Sequence, residues 1–426
     1  MKSMGCRMFK LIFQSILNRK FSFCLTIFSI AISIALFVGV ERIRLGAQQS
    51  FSNTISHTNL VVGARGSGLS LLLNTVFHIG SPNNEISWET YQSFAKNDSV
   101  AWTIPLSLGD SFHGFTVVAT NENFYEHYRF LGNEKPEMLQ GHFSSDLFDI
   151  TVGSDVAEKE NLKLGQKIIL SHGVGEGAGL QKHADKPFTV VGILKKSGTP
   201  LDRTLYMTME GDEAMHIDWH NGAPPLPGKE TPIYQLKKEN IKVDDLTAFL
   251  VGTKSPIEAL ALQREINNYS KEPLTAILPN LTLSELWKLV SYVEIALKIV
   301  SLSVIFVGLI GMMVSIFNSL ESRRREVAIL RAIGTSVKNI FTLLVAESII
   351  LSFCGCVLGV FLCFLILILV KPIIIHAFGL DISLVPLQSY EYLYLVSVII
   401  FSGLLGLIPA YQAYKNSLAD GLSLRI

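Results

Sequence analysis

No cysteine lies between Cys24 and Cys354, so the long middle of the chain holds no disulfide and has to fold on its own core. The five cysteines are Cys6, Cys24, Cys354, Cys356 and Cys363, in the N-terminal segment or in apolar runs. Cys354-Gly355-Cys356 has the wrong spacing for a metal pair, and packing is the simpler role. A surplus of charge is also missing: 36 basic residues face 36 acidic ones. Nucleic-acid binders draw affinity from a basic excess, so that class of partner is excluded. There is no G-x-x-x-x-G-K-[ST] loop and no H-E-x-x-H, G-x-S-x-G or C-x-x-C motif, so the chain does not read as an enzyme. Two glycine-rich stretches are not ligand loops either. Ala64–Gly68 is a flexible turn with no Gly-Lys-Ser/Thr after it, and Gly173–Gly179 lies between strands as a long hairpin turn, without the following helix of a dinucleotide site.

What is present is apolar sequence in four uncharged runs: Phe21–Val40, Ile299–Leu320, Ser348–Val370 and Tyr392–Tyr414. About 20 residues of helix span a bilayer core, so each run is a membrane helix. Lys2, Arg7, Lys10, Arg19 and Lys20 precede the first run, and Arg323, Arg324, Arg325, Arg331 and Lys338 follow the second. The positive-inside rule places both termini and the Arg-rich loop in the cytoplasm and the large middle segment outside. The charged exit Glu41-Arg42-Ile43-Arg44, with no small-residue cleavage pattern, favours a retained helix over a signal peptide.

The fold class expected is an α-helical membrane protein with four transmembrane helices and a large α+β extracytoplasmic domain between helices 1 and 2. Residues 1–20 form an amphipathic cytoplasmic segment, or a plain basic leader, and 21–56 the first membrane helix with its outer extension. The outer α/β domain, with an inserted β-rich part, takes 57–282. A long helix that includes the second span covers 283–320, with a basic loop at 321–340 and the third span at 341–370. A short outer loop occupies 371–391, the fourth span 392–414 and a cytoplasmic tail 415–426. Within the domain, helices are expected at Ser87–Lys96, Asn121–Arg129 and Ser154–Glu160, the last capped by Ser154, with strands at Leu60–Gly63, Val100–Leu106, Phe112–Thr120, Ile150–Gly153, Lys167–Leu170, Phe188–Leu194 and Thr204–Met209. Leu246–Thr253, a helix from Ile257 to about Tyr269, and Leu274–Leu278 form a β-α-β unit. Glu294 and Lys298, four apart, suit an intrahelical ion pair.

The ten histidines are weighed as metal ligands by their spacing. His216 and His220 stand four apart, so on a helix they share a face and form the candidate metal pair, although Asn221-Gly222-Ala223-Pro224-Pro225 ends any helix at once. An exposed loop is the competing reading; His172 and His183 lie in the same β-rich part. Glu347, just inside the third span, is a costly carboxylate read as structural, hydrated or paired with an arginine of the basic loop. Gly308 with Gly311, Gly355 with Gly359, and Gly403 with Gly406 allow close helix packing, within one subunit or across a dimer.

The basic loop carries the most specific pattern. Val327 and Leu330 are three apart and Ile329 and Ile333 four apart, which is helical spacing; Gly334 stops the helix, and Thr335 and Ser336 can cap the next. So short a helix needs something to lie against. The string Arg324-Arg325-Glu326-Val327-Ala328-Ile329-Leu330-Arg331-Ala332-Ile333-Gly334 resembles the R-x-E-(I/V)-x-x-L-R-A-(I/L)-G signature of the MacB/FtsX/LolC-type ABC transporter permeases, with Thr335 where a small apolar residue is usual. Gly406, Pro409, Ala410 and Ala413 resemble that family's closing G-x-x-P-A-x-x-A segment.

The resemblance implies a MacB-like periplasmic core domain and a permease subunit of the mechanotransmission type. It implies ATPase docking through Arg323, Arg324, Arg325, Glu326, Leu330, Arg331, Ala332 and Gly334. It also implies a separate cytoplasmic ABC ATPase that holds ATP and Mg, with no cofactor on this chain, a second permease copy or paralogue, the bilayer of the bacterial inner membrane, and a periplasmic partner. Export or extraction of an envelope substrate is the expected work. A non-transport envelope regulator, as in the cell-division branch of the family, and a membrane-anchored sensor are the alternatives.

Overall fold

The computed structural model describes residues 20–80, 84–173, 181–219, 225, 228, 230–322, 337–378 and 387–419. It divides into two compact units, one built from 1–46, 291–373 and 382–426, the other from 47–290 and 374–381.

In the second unit the strands alternate but are apolar on both sides. Leu60 and Val62 enter one core with Phe249, Val251, Val117, Leu205 and Met207. Val61 enters a separate core with Leu250, Val118 and Tyr206. Period-two side-chain alternation therefore feeds two cores from one sheet, which is why these strands read as continuous apolar runs. Among the described residues the sheet has twelve strands. Its main path runs Leu274–Ile277, Leu60–Ala64, Ala248–Thr253, Val100–Phe112, Phe115–Thr120, Thr204–Thr208, Asp149–Val152, Phe188–Leu194, Met138–Gly141. Strands Ala248–Thr253 and Leu274–Ile277 both pair antiparallel to Leu60–Ala64, with helix Pro256–Asn267 between them in the chain. The expected β-α-β unit is therefore split by an inserted strand.

Several local expectations change. The two strands expected across Val100–Thr120 are present with other bounds: the first runs on from Leu106 to Phe112, and a turn at His113 and Gly114 leads into the second, Phe115–Thr120. Both turn residues have positive φ, the backbone of a tight hairpin. Gly68–Phe77, adjoining the expected flexible turn, is a helix; Ser67 caps it, and Leu72, Val76 and Phe77 are buried. Ser154 is not the cap of its helix. Gly153 holds that position without a side-chain bond, so Ser154 is the first helical residue. The strand expected at Lys167–Leu170 is only Lys167–Ile168.

Among the described residues, four helices are long and apolar enough to cross a membrane: Phe23–Thr54, Pro279–Asn318, Phe341–Ile373 and Ser389–Gln412. The third helix does not stop at Val370. It continues through Lys371 and Pro372 to Phe378, since the neighbours in a helical bundle can re-satisfy the backbone that proline frees. Glycine sets the helix spacing. A Cβ on Gly359 would lie 2.7 Å from the Ala31 carbonyl oxygen, and one on Gly406 would lie 2.2 Å from Ser348 Oγ. Gly355 likewise faces Ile30. These contacts are made within the subunit, whereas a Cβ on Gly311 meets open space. The helix-helix core includes Ile30, Ile34, Leu309, Met312, Leu351 and Val398.

Candidate functional site

The proposed docking residues, Arg323, Arg324, Arg325, Glu326, Leu330, Arg331, Ala332 and Gly334, lie outside the described residues. Their flanks are described. Helix Pro279–Ser322 precedes them and helix Val337–Phe378 follows them in sequence.

Elsewhere in the first unit, seven polar side chains from the first, second and fourth long helices join in one network. Arg42 bonds Glu391 at 2.5 Å, and both are buried. Glu391 sits in the first turn of its helix, where the helix dipole favours a negative charge, and accepts the Gln388 amide at 2.6 Å. Arg44 bonds Glu41 at 2.6 Å and approaches Glu294 at 3.4 Å. Tyr390 donates to Glu41, and Lys298 pairs with Glu294, the intrahelical partner expected from spacing. Three carboxylates thus face three cations. The sequence showed the charges at the ends of the apolar runs but not that they meet.

The second unit gathers a different set. Asp110 lies on the long strand Val100–Phe112. His172 is on the short strand Ser171–His172, paired antiparallel with Gln181–Lys182, and His183 follows directly. The hairpin read from the glycine-rich stretch is therefore present, with residues 174–180 outside the described residues. His216 ends helix Met209–His216, which Thr208 caps. His172 Nδ1 lies 3.2 Å from Asp110 Oδ1, His183 Nε2 at 3.6 Å and His216 Nε2 at 3.7 Å. His172 Nδ1 is also 3.2 Å from His216 Nε2. The candidate ligand atoms of all four side chains fall within 4.8 Å of one another. His216 was half of the pair read from sequence; its expected mate His220 lies outside the described residues. Asp110 was missed, because a lone aspartate in a strand 62 residues before His172 gives no spacing signal. Asp218 turns away to Lys186 and Thr231.

Two family models span nearly all of this architecture. The MacB-like periplasmic core domain matches 23–269, and the FtsX-like permease C-terminal region matches 298–418. The chain belongs to the MacB/FtsX-type family of ABC transporter permeases. An uncharacterized ABC transporter permease of Methanocaldococcus jannaschii is 26% identical over 231 residues, covering 54% of this chain and 52% of the relative. The permease thus spans about half the length of that curated relative. Among solved structures, the periplasmic region of MacB from Actinobacillus actinomycetemcomitans is 11% identical with a TM-score of 0.34, covering 55% of this chain and 94% of that one. The extracellular domain of the noncanonic ABC-type transporter YknZ from Gram-positive bacteria is 14% identical with a TM-score of 0.29, covering 52% and 99%.

Proposed function

We propose that this permease transmits motion from a separate cytoplasmic ATPase, which holds ATP and Mg, to its outer α+β domain, and so drives export or extraction of an envelope substrate. The observation that supports this most is the helix Pro279–Ser322. It starts two residues after the domain strand Leu274–Ile277, runs 44 residues unbroken, and is described as far as Ser322, next in sequence to the docking signature. At about 1.5 Å per residue it is roughly twice as long as a bilayer core requires, so one continuous stretch of chain leads from the domain sequence to the docking sequence. The helices carry few polar side chains apart from the charge-balanced network, which favours transmission over a conducting path. In this reading both termini are cytoplasmic, the protein sits in the inner membrane beside a second permease copy or paralogue, and a periplasmic partner meets the outer domain.

Charge reversal tests the docking role. Arg324→Glu with Arg325→Glu should abolish co-purification of the ATPase while the outer domain keeps its protease resistance and circular dichroism. Undiminished complex formation and nucleotide-driven activity would overturn it. If the wild-type chain copurifies with no ATPase at all, a membrane-anchored sensor replaces the transporter reading. A bound envelope hydrolase would instead point to a non-transport regulator.

A further inference from the structure

We infer that the outer domain holds a divalent cation of the zinc class, bound by Asp110 Oδ1, His172 Nδ1, His183 Nε2 and His216 Nε2. The inference is independent of ATPase docking. Its first support is spacing. Donors arranged tetrahedrally at about 2.0–2.1 Å from a zinc ion stand about 3.3 Å from one another. Four of the six separations, 3.2, 3.2, 3.6 and 3.7 Å, lie close to that value, and the two between His183 and the other histidines are within 4.8 Å, which a bound ion would draw in.

Ordinary hydrogen bonding does not account for the arrangement. Three imidazoles aim ring nitrogens at the same carboxylate oxygen, and two of those contacts exceed hydrogen-bond length. His183 is fully buried, and neither of its ring nitrogens has a hydrogen-bond partner among the described residues. An unsatisfied buried polar group is costly and rare in a native fold. A cation at the point the four donors share satisfies all of them together.

The surroundings suit a ligand role. His216 Nδ1 lies 3.1 Å from the Asp212 carbonyl oxygen. That oxygen can only accept, so the ring proton sits on Nδ1 and Nε2 turns its lone pair inward, the usual outer contact of a metal-bound histidine. The three rings stand 74° to 89° apart, converging rather than stacking. Trp219 covers His183 and His172, with ring centroids 4.5 and 5.0 Å away. Three imidazoles and one carboxylate disfavour calcium and magnesium, which take oxygen donors, and the lack of sulfur disfavours copper(I). All four tetrahedral positions are filled by the chain, so the ion is structural. It staples a hairpin of two-residue strands to the end of helix Met209–His216.

The test uses the full-length, tag-free permease in detergent, stripped with chelator and titrated with zinc chloride. One zinc per chain is expected, bound more tightly than about 1 µM, with a raised melting temperature. Cobalt(II) in its place should give the intense visible bands of a tetrahedral complex. His172→Ala, at a side chain 44% exposed and so safe for folding, should weaken zinc binding by more than the roughly 10–100-fold that outer contacts contribute. The wild-type cobalt spectrum needs no variant, so a misfolded mutant would not shield the idea. A folded wild-type protein that takes up no stoichiometric zinc, a pale octahedral cobalt spectrum, or equal affinity in His172→Ala would each overturn the assignment.

Discussion

The two polar clusters of this permease are built on opposite principles. The network around Glu41, Arg42 and Glu391 brings its own counter-ions, three acids against three bases. The cluster around Asp110 collects one carboxylate and three imidazoles, all electron-pair donors to a common point. The first balances its charge with its own side chains. The second is complete only with an ion that the chain does not encode. A charged cluster that balances itself is therefore best read as structure, and one that converges lone pairs as a binding site.

The strongest way to break the comparison is to unbalance the first network. Glu391→Ala leaves Arg42, whose side chain is 4% exposed, facing a low-dielectric surround without its carboxylate. Removing one partner of a buried pair costs about 3–5 kcal/mol. Replacing both, Arg42→Met with Glu391→Leu, should cost far less, because the uncompensated charge goes as well. Unfolding of the three proteins in detergent micelles would measure this. Equal destabilisation by the single and the double change would mean that the pair contributes more than charge balance.

Acid sharpens the comparison on the outer domain. His78 closes helix Gly68–Phe77 in the left-handed conformation, and its Nδ1 lies 2.9 Å from Thr204 Oγ1. Burial pushes its imidazole down to about 4. The unfolded chain then takes up this proton near pH 6.5 while the folded chain refuses it until about pH 4. Stability from His78 is thus fully present above pH 6.5 and is lost as pH falls toward 4, by up to about 3 kcal/mol. Asn tolerates the same backbone and does not titrate, so wild type should lose stability relative to His78→Asn across that window. Parallel profiles would show that the site opens to water.

Much of this was legible in the sequence, and the misses have physical causes. The four spans follow from uncharged length alone. The split β-α-β unit follows from alternation plus a Pro-started helix, but not the strand inserted between its arms, since pairing partners as far apart as Leu60 and Val251 leave no local trace. Helix Gly68–Phe77 was hidden because its glycine-containing approach, Ala64 to Gly68, reads as a turn, while the capping bond that Ser67 accepts is local and could have been weighed. The metal cluster was half visible. His216 drew notice through its spacing to His220, yet its partners come from a strand and a hairpin that only the sheet brings near.

The smallest expected effect compares the two regions one hydroxyl at a time. Ser255 caps helix Pro256–Asn267 by accepting the Glu258 amide, with Pro256 at the first helical position. In the water-facing domain, Ser255→Ala should cost about 1 kcal/mol, the usual value of a lost N-cap. Ser402 is fully buried between membrane-length helices and donates to the Ser348 carbonyl at 2.7 Å. Low dielectric would suggest a larger loss there. Yet a helix separated within a bilayer finds other partners for its hydroxyl, and such bonds average only about 0.6 kcal/mol. Ser402→Ala should therefore cost less than Ser255→Ala when both are unfolded in the same micelles. The reverse order would mean that Ser402 keeps no alternative partner once the helices part, and that the bundle depends on this bond more than on the glycine contacts at Gly359 and Gly406.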